Sequence, residues 1–123
     1  MTASNIMCNQ EENEVQLTEI IDKLGLEVLS LADGTREVTG GYTGDLLSWV
    51  MGRAERDMLW VTIMTNVNIL AVAALRELPA VLIAEGAEIA PEVVAKAAEQ
   101  EITLLRSPKS AYTLCVELGR LLD

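Results

Sequence analysis

Apolar residues along the chain switch repeatedly between a helical and an extended period. Leu17, Ile20, Ile21 and Leu24 recur at i, i+3, i+4 and i+7, which predicts one helical face, and Gly25 supplies the stop. Residues 27–31 form a short apolar stretch ending in Ala-Asp-Gly, a strand followed by a turn. Residues 36–39 fit a short edge strand, after which the small and polar run 40–45 breaks the pattern. Leu46, Leu47, Val50, Met51 and Ala54 predict a second helix. Residues 58–64 are almost continuously apolar, as expected of a central strand covered on both faces. A third helix over 69–78 is apolar around most of its circumference, and 80–84 reads as another two-faced strand. Pro91 opens a fourth helix, residues 102–105 a last strand, and Ser107-Pro108 reads as an N-cap and first position of a fifth helix faced by Ala111, Leu114, Cys115, Leu118 and Leu122. Strands thus alternate with helices. The pattern predicts a three-layer α/β/α fold with a mostly parallel sheet of four to five strands.

Composition narrows the chemistry. The 123 residues suit one domain over 14–123, preceded by a polar, aperiodic stretch, 1–13, that reads as a disordered lead-in. Half of the residues are hydrophobic and none is Phe, so the core must be aliphatic. Nineteen acidic against nine basic residues give a net charge of -10, the reverse of a nucleic-acid footprint. The absence of His removes the commonest general base and metal ligand. Cys8 and Cys115 form no CxxC pair, which suits a reducing cytoplasm, and the N-terminus has no secretory pattern. Residues 58–75 carry no charge, but Thr62, Thr65, Asn66 and Asn68 lie across the run, which argues against a membrane span.

Ligands of parallel sheets bind beyond the carboxyl ends of the strands. Three segments are expected there: 39–45, 65–68 and 106–110. Thr39, Gly40, Gly41, Gly44 and Asp45, with Thr65, Asn66 and Asn68 at the next helix start and Ser107 and Lys109 on one side, are therefore the candidate ligand-binding residues. Helix-start N–H groups flanked by glycines can cradle an anion. The glycine spacing fits neither GxGxxG nor the Walker pattern, because no Lys follows. The plainer reading gives the glycines a turn and close packing, Thr65 or Asn66 a helix cap, and Asp45 a place in a helix's first turn. Tyr112, Val116, Leu121 and Trp49 add apolar groups outside the core stripes of their helices, the mark of a self-association surface.

The run Arg36-Glu37-Val38-Thr39-Gly40-Gly41-Tyr42-Thr43-Gly44-Asp45-Leu46-Leu47, the Leu-Trp-Val-Thr-Ile strand, Thr65-x-Val-Asn-Ile-Leu-Ala-Val-Ala and Ala-Val-Leu-Ile together resemble the DRTGG domain family over about residues 15–122. Arg36, Thr39, Gly40 and Gly41 match the naming motif, Thr35 stands where the family has Asp, and Asn66 where relatives often carry His. The resemblance implies the fold of the N-terminal domain of HPr kinase/phosphorylase, a fold also joined to phosphotransacetylases and CBS-domain pyrophosphatases. It implies a non-catalytic regulatory, ligand-sensing or assembly module without a cofactor. Such a module is commonly dimeric, serves a partner enzyme, and would take an adenine nucleotide or small phosphorylated metabolite as ligand. Neither nucleic acid nor membrane is expected as a partner. The alternatives are a small phosphotransferase or hydrolase with Asp45 as base beside the glycines, and a flavodoxin-like cofactor carrier, since Thr-Gly-Gly-Tyr-Thr-Gly is similar to a flavin-phosphate loop.

Overall fold

The computed structural model describes residues 15–122. The expectation for residues 1–13 lies outside them. The elements are β1 (Val15–Gln16), α1 (Leu17–Leu24), β2 (Glu27–Ser30), β3 (Glu37–Val38), β4 (Gly40–Thr43), α2 (Leu47–Arg53), β5 (Met58–Thr62), α3 (Asn68–Leu75), β6 (Val81–Ile83), α4 (Pro91–Glu99), β7 (Leu104–Arg106) and α5 (Ala111–Leu122). Five strands form one sheet in the order β2-β7-β6-β5-β4. β4, β5, β6 and β7 are parallel neighbours, and β2 closes the other edge antiparallel to β7. β1 and β3 make a separate antiparallel pair.

Strand alternation divides the core in two. Leu59, Val61, Leu82 and Leu105 point to the face covered by Ile20 and Leu24 of α1 and Leu114 and Leu118 of α5. Trp60, Val81, Ile83 and Leu104 point to the other face, under Val50 of α2, Ile69 and Leu70 of α3 and Val93 of α4. This is the three-layer α/β/α arrangement that the uninterrupted apolar strands require. α1 ends as predicted, with Gly25 in the left-handed region at φ 64°, and Pro91 occupies the first turn of α4.

Four local expectations change. Gly40 to Thr43, expected to break the pattern, is a strand paired with Met58 to Val61. A Cβ on Gly41 would stand 2.8 Å from Leu118 Cδ2, so the missing side chain admits α5 onto this strand. Residues 37–38 do form a strand, but it pairs with β1 and not with the main sheet. β5 is second from the edge and β6 is the middle strand. α5 begins at Ala111 and not at Pro108; the hydroxyl of Ser110 accepts from the amide of Thr113, so Ser110 takes the capping role expected of Ser107.

α3 and α4 end in the same way. Glu77 and Glu101 follow their helices with φ 54° and 57°. Their amides and those of Leu78 and Ile102 bond back onto Ala74, Ala98, Ala73 and Ala97, the Schellman pattern that normally carries glycine. A Glu there bears a left-handed backbone penalty and puts negative charge at the negative end of the helix. Glu101→Gly is therefore expected to stabilise the protein by about 1 kcal/mol, read as a higher urea midpoint. Gly41→Val is expected to destabilise it by about 1 to 3 kcal/mol through overpacking against the buried Leu118, with a lower Tm and retained far-ultraviolet circular dichroism.

Candidate functional site

The sheet topology spreads the candidate residues over three regions. β4 runs from Gly40 to Thr43, so Thr39 stands at its start while Gly44 and Asp45 leave its far end, near the end of β5. Thr65, Asn66 and Asn68 follow β5, whereas Ser107 and Lys109 follow β7, two strands away and roughly 10 Å across the sheet. No single cradle collects them.

At the β4–β5 end, the polar groups satisfy one another. Asp45 Oδ1 accepts from the Thr62 hydroxyl at 2.7 Å and from the Ile63 amide at 2.9 Å. Thr62 Oγ1 in turn accepts from the Met64 amide. Trp60 Nε1 donates to the Gly44 carbonyl at 2.9 Å, and the Gly44 amide and Thr43 hydroxyl both donate to Val61 O. Asp45 is thereby a brace between the end of β4 and the exit of β5. Asn66 Oδ1 accepts from the Asn68 amide at 2.9 Å, and the Asn66 carbonyl accepts from Ile69. Asn66 accordingly closes a turn before α3 and does not take the capping role expected of it or of Thr65, because Val67 stands at the N-cap without a side-chain cap bond. Thr65 is half-buried beside it.

At the β6–β7 end, the Glu85 amide donates to Lys109 O and the Gly86 amide to Ser107 O, each at 2.8 Å. Ser107 is buried, and its hydroxyl accepts from the Lys109 amide. Lys109 Nζ reaches both carboxylate oxygens of Glu117 at 3.0 and 3.1 Å, which turns it back onto α5. Arg106 lies in a two-toothed ion pair with Glu27 across the β2–β7 edge, and that hydrogen bonding holds its guanidinium even more firmly charged than usual.

An open groove of about 460 Å³ runs along β4 instead. Thr39, Gly40, Gly41 and Thr43 form one wall, and Cys115 and Gly119 of α5 the other. The α5 wall was missed in the sequence reading; its signal is Gly119, a small residue inside a helical pattern whose Cβ would meet nothing within 4 Å. Also missed was the role of Arg36. Its Nε and Nη2 donate to Asp57 Oδ1 at 3.2 and 2.9 Å, and Nη2 also donates to the Glu77 carbonyl. Arg56 joins this cluster through Glu77 at 3.2 Å. The motif Arg thus ties the entry to β4 to the turns preceding β5 and β6. Among the described residues no group of three His, Cys, Asp or Glu is placed to hold a metal ion, and no helix is long and apolar enough to cross a membrane.

No family model and no curated protein matches the chain. Among solved structures, it is similar to the CBS and DRTGG domains of the regulatory region of Clostridium perfringens pyrophosphatase complexed with its activator, diadenosine tetraphosphate. The TM-score is 0.68 at 14% identity, over 99% of this chain and 56% of that one. The chain therefore has a DRTGG-like α/β fold, and it spans little more than half the length of the structure it matches.

Thr35, standing where the motif has Asp, builds a small turn of its own. Its hydroxyl donates to Asp33 Oδ1 at 2.6 Å and its amide at 3.0 Å. These two bonds, the hydroxyl first, hold the Asp33 carboxyl below the ordinary carboxylate range, with Arg36 adding to the effect. The lowered value means that the contribution of this turn is complete above the unfolded carboxylate pKa and is lost as pH falls through the folded one. Thr35→Val is expected to move the Asp33 titration upward, toward the ordinary value, in a carbon-detected NMR pH series.

Proposed function

We propose that this chain is a non-catalytic regulatory module of the DRTGG type, acting in the cytoplasm by assembly with itself as a homodimer and with a partner enzyme. The observation that carries this reading is the state of the strand-end donors. The amides of Ile63, Met64, Asn68, Glu85, Gly86 and Lys109, six of the strand-end donors, already donate to groups of the chain itself. Asp45, the base of the enzymatic alternative, accepts two hydrogen bonds within the fold and braces two strands. Likeness of fold to part of a regulatory region supports the same conclusion.

A second reading, favoured by the activator bound in that pyrophosphatase region, places an adenine nucleotide or small phosphorylated metabolite in the groove beside Thr39, Gly40 and Gly41. Against it stands the net charge of -10, which repels nucleotides at long range. No resident cofactor enters either reading.

Incubation with radiolabelled ATP and candidate acceptors is expected to give no turnover. Robust turnover abolished by Asp45→Asn would overturn the module reading. In a thermal-shift series, adenine nucleotides are expected to raise the Tm weakly or not at all. Stabilisation approaching about 3 kcal/mol at a hundredfold excess over Kd would favour nucleotide sensing instead. The purified protein is expected to be colourless, and a flavin spectrum would restore the cofactor-carrier alternative.

A further inference from the structure

The two edges of the main sheet are treated differently. β2 carries Glu27, paired with Arg106, and its register with β7 shifts between Val28 and Ser30. A charge and an irregularity are both devices that discourage an edge from recruiting another strand. β4, Gly-Gly-Tyr-Thr, has neither charge nor proline, and its ladder with β5 is regular over all four residues. The Thr39 amide points inward, donating to Asp57 O. Strand alternation therefore turns the backbone N–H and C=O groups of Gly40 and Tyr42 outward, away from β5.

The surroundings of this edge are equally distinctive. None of the nineteen acidic residues lies in β4, in α2 or in the lining of the groove beside β4. In a chain of charge -10, this edge strand and groove are free of like negative charge, and the one charged side chain of α2, Arg53, lies 4.1 Å over the Trp49 ring. α2, which follows β4, leaves Leu46 just before it and Trp49 within it 59% and 54% exposed.

We infer that β4 is the seam of a twofold dimer. This rests on the homodimer reading above and adds where the copies meet. The β4 strands of two copies run antiparallel, with the outward groups of Gly40 and Tyr42 exchanging hydrogen bonds with the same strand of the second copy, so that two five-stranded sheets become one. A four-residue strand is far smaller than the 1,200 to 2,000 Å² that stable interfaces typically bury. With the axis perpendicular to the sheet, α2 is brought to α2 on one face and α5 to α5 on the other, and these supply the remaining contact. A lone extended peptide would pair with the edge but leave Trp49 and Leu46 in water, which is why a second copy is the better occupant.

Sedimentation equilibrium on the full chain at micromolar concentration tests the seam. The parent is expected at twice the 13.4 kDa chain mass. Gly40→Pro removes an outward N–H that has no partner among the described residues, and a Cβ at this position meets none of their atoms nearer than Met58 Cγ at 3.7 Å. It is expected to sediment as a monomer, as is Trp49→Glu, which removes the exposed ring from the contact and puts a carboxylate in its place. Leu75→Lys, at another exposed apolar residue, is expected to remain dimeric. Should Gly40→Pro lose its circular dichroism, Trp49→Glu at its exposed helix position decides. Amide exchange at Gly40 and Tyr42 is expected to slow as protein concentration rises. Folded variants that stay dimeric would place the interface elsewhere while leaving the homodimer standing. A monomeric parent overturns the homodimer and this seam together, and protection of the two amides that does not depend on concentration shows that the chain itself covers the edge, which overturns the seam alone.

Discussion

The end of the Leu118 side chain on α5 lies 2.8 Å from where a Cβ of Gly41 would be, and the seating of α5 on β4 uses that close approach. It seats α5 on β4 beside Leu59 and Val61, so that α1 and α5 together close one face of the sheet. A side chain at position 41 would crowd the end of Leu118, which must shift to make room. The same approach explains the groove, because α5 touches β4 through Leu118 and leaves space beside the smaller Cys115 and Gly119.

A second constraint acts at the strand ends. Parallel sheets expose helix starts and loop amides at their carboxyl edge, where many α/β proteins bind anions. Here several of those amides, those of Ile63, Met64, Asn68, Glu85, Gly86 and Lys109, bond to acceptors of the chain itself: Asp45 and Thr62 at the β4–β5 end, Asn66 at the start of α3, and Ser107 and Lys109 at the β6–β7 end. An unpaired donor attracts a ligand because it lacks a partner, and these have partners.

The motif that carries the resemblance has a structural account of its own. Arg36 joins Asp57 and the carbonyl of Glu77, and Gly41 admits Leu118. Thr39 continues the ladder through Asp57. Arg36 and Thr39 hold the start of β4 to the turn before β5, and Gly41 lets α5 approach the strand. These roles are structural and hold whether or not a ligand binds.

The sequence by itself determined the class of fold and the main elements. Two-faced burial writes continuous apolar runs at β5 and β6, and single-faced burial writes the 3.6-residue period of α1 and α5, so both are visible in one dimension. Gly25 and Pro91 act locally and were equally legible. The tertiary structure alone decided the fate of residues 40–43. Glycine has no side chain with which to announce a strand, and only pairing with β5 beneath Leu118 makes one of it. It also decided which candidate residues meet. Thr39 and Asp45 are near neighbours in sequence but lie at opposite ends of an extended strand, while Ser107 is separated from Asn66 by the order of the strands. Whether an amide is free for a ligand depends on acceptors supplied from elsewhere in the chain, and no local pattern records them.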